Sequence, residues 1–272
     1  MSILAGACLL SGLLAAAQPR GAGAPVTERP LPPGELGDTI RLGRELIEHT
    51  TENPLSRPFV GNALNCTSCH LKDGTDLKAA SFIGVATAYP AWSPREGRVI
   101  SLEERVLNCF MRSCNGIRPP LGSKASVAIT AYITWLSAEQ PIRMNAIRPA
   151  GPNAVVPLRL DAQQADSDRG QVLYAERCAS CHGEDGQGIE DNPPVWGDRS
   201  YNDGAGLANV NKLASWLKVS MPLDETDLTD QEALDVAAFV NEHARPHFIL
   251  SEHLPEKGRL GEFNAEPSRA NH

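Results

Sequence analysis

Aromatic residues are scarce in this chain: they make up only 5% of 272 residues, too few to fill two ordinary cores unaided. A bulky apolar prosthetic group in each half would supply the missing volume. Positive charge is scarce as well. The 33 Asp and Glu outnumber the 25 Lys and Arg and leave a formal net charge of −8, so neither nucleic acid nor an anionic membrane surface is an expected partner. After the N-terminus no segment reaches the roughly 18 consecutive apolar residues that a spanning helix needs, so no stable membrane insertion is expected of the mature chain. Lys and Arg are also missing ahead of the apolar run Ile3–Ala17. With its small residues and cleavage positions after Ala17 or Ala24, that run still reads as a secretory signal peptide over residues 1–24. Cys8 lies inside it, with too few residues before it and Ala5 where a lipoprotein signal usually has leucine.

The chain does have two copies of one pentapeptide, Cys66-Thr-Ser-Cys69-His70 and Cys178-Ala-Ser-Cys181-His182. Two cysteines flanking two residues and followed at once by histidine form the attachment signature of covalent haem c. The thiols add to the haem vinyl groups and the imidazole becomes the proximal iron ligand. A zinc site would need further Cys or His near each pair, and a redox dithiol would not carry the adjacent histidine. Two covalently bound haem c groups are therefore predicted, with export to the periplasm as the matching compartment.

The fold class follows as all-α, with two class I cytochrome c-like domains in tandem. Residues 25–145 form the first domain, 146–160 a Pro- and Gly-rich linker, 161–250 the second domain and 251–272 a polar tail. Within the first, the apolar stripe of Ile40, Leu42, Leu46 and Ile47 predicts a helix starting near Asp38 or Thr39. The stretch from His70 to Pro94 reads as loop. Ser101 caps a short helix to Cys109 with Glu103 and Glu104 in its first turn, and a stronger helix runs from Ser123 or Lys124 to Ala138 with Val127, Ala131, Ile133, Trp135 and Leu136 as its apolar positions. In the second, Asp168 caps a helix ahead of Cys178. Helix returns over Val210–Val219, and Thr229-Asp-Gln-Glu232 has the form of a capping box opening a helix to Glu242.

Superposing the halves on their histidines is informative, because Met221 and Cys109 both lie 39 positions beyond them. Met221, followed by Pro222, is the candidate distal ligand of the second haem, and His/Met coordination raises the potential of an iron built to pass electrons on. At the first haem three assignments compete: Cys109 as ligand, a Cys109–Cys114 disulfide as expected between spare cysteines of an exported protein, and Met111 as ligand. A thiolate at iron lowers the potential and is itself a nucleophile toward sulfur. Arg95, Arg98, Arg105, Arg112 and Arg118 crowd around it, with Ser113 and Asn115 as neutral donors, and suit an anionic substrate. Some of these arginines should instead pair with Glu96, Glu103, Glu104 or haem carboxylates. Arg95, Arg105 and Ser113 are the individual candidates for substrate binding.

The segments Gly61-Asn-Ala-Leu-Asn-Cys66-Thr-Ser-Cys69-His70-Leu71 and Arg105-Val-Leu-Asn-Cys109-Phe-Met-Arg112-Ser113-Cys-Asn115-Gly116 resemble the dihaem thiosulfate dehydrogenases, across both haem domains. The resemblance implies periplasmic enzymes that join two thiosulfates into tetrathionate, some in reverse. It implies His70 and Cys109 as ligands of the active-site haem, Arg95, Arg105 and Ser113 as thiosulfate ligands, and a second haem that exports electrons to a small acceptor such as a monohaem cytochrome c. In some members lysine is exchanged for methionine at the second haem on reduction; here Ser220 precedes Met221 and the nearest lysine is Lys218. The competing readings are a dihaem electron carrier without substrate chemistry and a haem subunit of a sulfur-oxidising complex.

Overall fold

The computed structural model describes residues 29–147 and 150–255; the predicted signal peptide and the end of the tail lie outside them. The first half opens with α1 (Glu35–Glu48), whose buried face carries Ile40, Leu46 and Ile47. It begins earlier than the apolar stripe alone predicts, because Glu35 and Asp38 favour its first turn. The loop expected up to Pro94 holds more structure than that. A 3₁₀ turn at Val85–Ala88 leads into a small antiparallel hairpin of β1 (Ala91–Ser93) and β2 (Arg98–Ile100), with Trp92 opposite Val99. This hairpin is the one departure from an all-helical architecture among the described residues.

Helix α2 (Leu102–Arg112) starts at Ser101, where Ser101 and Glu104 form a reciprocal capping box, and it runs one turn beyond the predicted end. Helix α3 (Lys124–Leu136) is capped by Ser123. Its core face is Ala125, Ala128, Ile129, Tyr132, Ile133 and Leu136, while Val127, expected inside, is exposed. The pattern was hard to read because this helix is apolar nearly all round.

In the second half, α4 (Ser167–Arg177) is capped by Asp166 rather than by the predicted Asp168, which sits in the first turn. The one-turn α5 (Ala179–His182) carries the second motif, α6 (Val210–Ser220) is capped by Asn209, and α7 (Asp230–Glu242) opens with the predicted Thr229/Glu232 capping box.

The halves repeat one packing device. A Cβ on Gly43 of α1 would lie 2.0 Å from the Ala128 carbonyl oxygen of α3, and one on Gly170 of α4 would lie 2.1 Å from the Asp235 carbonyl oxygen of α7. Each first helix thus crosses its half's last helix at backbone contact, a distance only glycine permits. One core gathers on α1, α2 and α3, a second on α4, α6 and α7.

The halves are joined by more than a tether. Asn153 Nδ2 donates to the Ile83 carbonyl, the Leu158 N–H donates to Ser215 Oγ, and Val155, Leu158 and Leu160 pack on the second core. The predicted linker is therefore a packed strap over its described residues. The tail is likewise anchored as far as it is described. His253 is buried, its Nδ1 hydrogen-bonds with the Gly116 carbonyl at 2.7 Å, and its own carbonyl accepts from the Arg118 N–H. No helix among the described residues is long and apolar enough to cross a membrane.

Candidate functional site

The two motif histidines are held alike. His70 Nδ1 lies 2.7 Å from the Ala80 carbonyl and His182 Nδ1 lies 2.9 Å from the Pro193 carbonyl. A carbonyl partner accepts, so Nδ1 carries the proton and Nε2 is the atom left to bind iron, the usual orienting contact behind a metal-bound imidazole. His70 also stacks on Phe82 at 4.2 Å between ring centroids, and burial pushes its pKa down to about 4, so it is neutral at physiological pH. Burial pushes the thiol of Cys66 up to about 11, Cys69 to about 12 and Cys178 to about 11. The described residues contain no group of three or more His, Cys, Asp and Glu placed to hold a metal ion, so neither CxxC pair has the further ligands of a zinc site.

A cavity of about 600 Å³ opens beside the first motif, within the usual range for cofactor sites. Cys66, Cys69 and His70 line one wall, and Arg105, Cys109, Phe110, Ser113 and Cys114 another. Its apolar surround of Ile47, Val85, Ile129 and Ile133, with both attachment thiols and an oriented imidazole at its edge, fits a covalently attached porphyrin. Residues of the second half close it: Leu207, Asn209, Asn211, Lys212, Ser215 and Trp216.

Of the three candidates for the far side, the geometry separates them. Cys109 and Cys114 are free thiols with no disulfide between them. Met111 is buried and is not part of the cavity wall, because α2 turns it to the opposite face, whereas Cys109 faces inward. Arg105 and Cys109 stand four positions apart on α2 and so share a face. Arg105 Nη1 donates to Cys109 Sγ at 2.9 Å. The charge on Cys109 raises the Arg105 guanidinium above its ordinary value, against the opposing pull of burial. Cys114, by contrast, is a buried thiol held well above its ordinary value by that burial.

The five arginines sort themselves by partner. Arg98 ion-pairs with Glu104 at 2.8 Å, Arg118 is wholly buried with Nη1 on Asn108 Oδ1, and Arg112 lies over the Phe248 ring at 4.1 Å with Nη1 reaching the Gly204 carbonyl. Burial pushes both Arg112 and Arg118 down to about 10. Arg105 faces Cys109. Arg95 is not part of the cavity wall; it sits on the β1–β2 turn with an exposed side chain that is still crowded by protein atoms. That crowding and then the charge of Arg105 lower its pKa, and Cys109 acts on it in the opposite sense.

The turn after α2 is what places Ser113 and Cys114 on the cavity. Asn115 takes a left-handed conformation (φ 46°), and a Cβ on Gly116 would lie 1.9 Å from the Phe59 carbonyl oxygen. Sequence reading missed how this turn is held. Asn62 Nδ2 bridges the carbonyls of Ser113 (2.8 Å) and Ser200 (2.9 Å), and the fully buried Asn202 donates to the Met111 carbonyl and to Asn115 Oδ1, both at 2.9 Å. Two asparagines and the tail, scattered along the chain, had no local pattern to reveal them.

At the second motif, Met221 caps the end of α6 and packs, half-buried, on the core that also takes in Cys178. Lys218 is turned elsewhere: its Nζ donates to the Leu228 carbonyl and lies 3.7 Å from Asp230.

Two small helical units, each built on a Cys-x-x-Cys-His motif with a carbonyl-oriented histidine, define a two-domain protein of the cytochrome c class. Residues 57–142 match the family model described as "SoxA/TsdA, cytochrome c domain", and residues 165–240 match "Cytochrome C oxidase, cbb3-type, subunit III". The chain is 41% identical over 230 residues to the thiosulfate dehydrogenase of Allochromatium vinosum, covering 80% of this chain and 82% of that one. It is 38% identical over 243 residues to that of Stutzerimonas stutzeri, covering 87% and 77%. The solved thiosulfate dehydrogenase (TsdBA) of Marichromatium purpuratum superposes with a TM-score of 0.75 at 36% identity; 88% of this chain is covered but only 52% of that longer one. The chain belongs to the thiosulfate dehydrogenase family.

Proposed function

We propose that this protein is a periplasmic dihaem cytochrome c that oxidises two thiosulfates to tetrathionate at Cys109, reversibly in principle. The observation that carries the reading is the Arg105–Cys109 pair: a guanidinium 2.9 Å from a sulfur, inside the cavity that holds the first attachment motif. Cys66 and Cys69 would attach one haem, with His70 and Cys109 on its iron; Cys178 and Cys181 would attach the other, with His182 and Met221 on its iron. When bound, these groups supply two one-electron acceptors and an exit for the charge.

Arg105 donates a charged hydrogen bond to Cys109 Sγ and, with Arg95 and Ser113, draws in the thiosulfate dianion. The terminal sulfur of thiosulfate bonds to Cys109 Sγ, giving a cysteine S-thiosulfonate, and two electrons depart. A second thiosulfate then attacks the sulfur attached to Cys109. Tetrathionate leaves, the old S–S bond breaks, and its electron pair returns to Cys109 as thiolate. Charge balances in both steps, and no proton is needed. The packing of Ser113 and its turn by Asn62 and Asn202 keeps the anion pocket and the nucleophile in register.

The acceptor we infer is a small periplasmic redox protein with a basic face, such as a monohaem cytochrome c. Over residues 161–250 seventeen carboxylates stand against six Lys and Arg, so the second half attracts a cation. The test is Cys109→Ser beside Cys114→Ser. The first should retain both haems and make no tetrathionate; the second should keep its activity, since Cys114 is buried and unpaired with Cys109. Full turnover by Cys109→Ser would end the scheme.

A further inference from the structure

Trp216 belongs to both halves at once. It stands on α6, five positions before Met221, and is only 7% exposed. On one side it is part of the second core, on which Cys178 and Met221 pack. On the other it lines the first half's cavity together with Cys66, Cys69 and His70. Its Nε1–H donates to the carbonyl oxygen of Cys69 at 3.2 Å, so the indole is hydrogen-bonded to the backbone of an attachment cysteine in the opposite half. The second core also absorbs Leu71, next to His70, and Ala80, whose carbonyl orients the His70 ring. Residues flanking the first motif thus pack directly on the second core.

A buried tryptophan normally finds some partner for its N–H. Here the partner is the first motif itself, and the ring belongs to the second core, on which Cys178 of the second motif also packs. Electron tunnelling falls off steeply with distance and faster through voids than through packed and hydrogen-bonded atoms. We propose that Trp216 is the contact through which single electrons cross from the first redox site to the second, by way of its ring and its hydrogen bond to Cys69. Each crossing oxidises the first site by one electron and reduces the second by one; no bond is made or broken and no proton moves. This rests on the two-haem reading above.

The experiment uses the holoprotein and needs no thiosulfate. Laser photoreduction loads one electron, and its redistribution between the two haems is followed at wavelengths that separate them, in wild type, Trp216→Phe and Trp216→Leu; both haem potentials are measured by titration. Trp216→Phe keeps the ring and loses the hydrogen bond, and the expected slowing is about threefold; Trp216→Leu loses both, and about tenfold is expected, with the potentials unchanged. If the leucine variant loses haem, the phenylalanine variant decides alone. Undiminished transfer in Trp216→Phe, or a slowing fully explained by shifted potentials, overturns the role of Trp216. A wild-type chain with fewer than two covalent haems instead overturns the reading beneath it.

Discussion

Replacing Arg105 with glutamine should lower kcat/KM for thiosulfate about 10- to 150-fold while both haems stay attached. The range comes from the bond that is lost. Arg105 Nη1 donates to Cys109 Sγ at 2.9 Å, and the charge on Cys109 is the largest influence on that guanidinium. Two unit charges at such a separation attract by roughly 4–6 kcal/mol at an effective dielectric of ~20. Most of this offsets the desolvation of both groups, which leaves the ~1.5–3 kcal/mol typical of a charge-assisted hydrogen bond. At ~1.4 kcal/mol per tenfold this gives the stated range. Glutamine keeps most of the length and one donor, so the packing of the cavity wall is preserved. Arg105→Lys restores the charge without the planar fork and should fall between wild type and glutamine. The assay is steady-state thiosulfate oxidation with an artificial acceptor, normalised to haem content. A glutamine variant within about threefold of wild type would refute the claim that this guanidinium sustains the nucleophile.

Asn202→Ala removes a fully buried amide that donates to the Met111 carbonyl and Asn115 Oδ1 and leaves those acceptors unpaired. The expected loss is about 1–3 kcal/mol, read as a fall of ~2–4 °C in Tm per kcal/mol; an unchanged Tm would show that the turn after α2 does not depend on this bridge. The clasp on the segment leading into the tail should be pH-dependent. His247 Nδ1 bonds with Asp203, and the Phe248 N–H donates to the same carboxylate. The bond to Asp203, then its charge, raises the pKa of His247; in Asp203 burial pulls upward but is outweighed by His247 and the Phe248 N–H, so its pKa is lowered. The His247 contribution is complete below the ordinary histidine value of ~6.5 and is lost as pH rises through the raised one; the Asp203 contribution is complete above ~4 and is lost as pH falls through the lowered one. Protection of the Phe248 amide against hydrogen exchange, measured relative to Asp203→Asn at each pH, should therefore be greatest between those limits. A ratio that does not vary with pH would contradict this.

Local chemistry explains which parts of this molecule were legible in advance. The capping boxes at Ser101/Glu104 and Thr229/Glu232 act within one turn, and both helices start where those residues stand. Asp166 and Asp168 are equally good local caps for the helix ahead of Cys178, so the sequence does not distinguish them. The choice of Asp166 is settled by the distant Asp235, whose Oδ1 accepts from the Asp166 N–H and whose carboxylate also pairs with Arg169. Val127 is exposed for a similar reason, since which side of an apolar helix faces the core depends on where α1 crosses it. The small β1–β2 hairpin carries too few residues to show an alternating pattern.

Taken alone, the chain of amino acids determined the covalent chemistry: two Cys-x-x-Cys-His motifs, a sulfur 39 positions after each histidine, and an arginine one helical turn before Cys109. Those features are short-range, so spacing is enough to reveal them. Only the folded molecule decided that Cys109 and Cys114 line the cavity while Met111 does not, that Arg105 reaches Cys109, and that Arg98, Arg118 and Arg112 are taken up by Glu104, Asn108 and Phe248. It alone also brought Trp216, Asn202 and His253 from the second half and the tail against the first. Such contacts join residues more than a hundred positions apart in several cases, and their partners are mostly backbone carbonyls, which every residue has and no sequence pattern distinguishes.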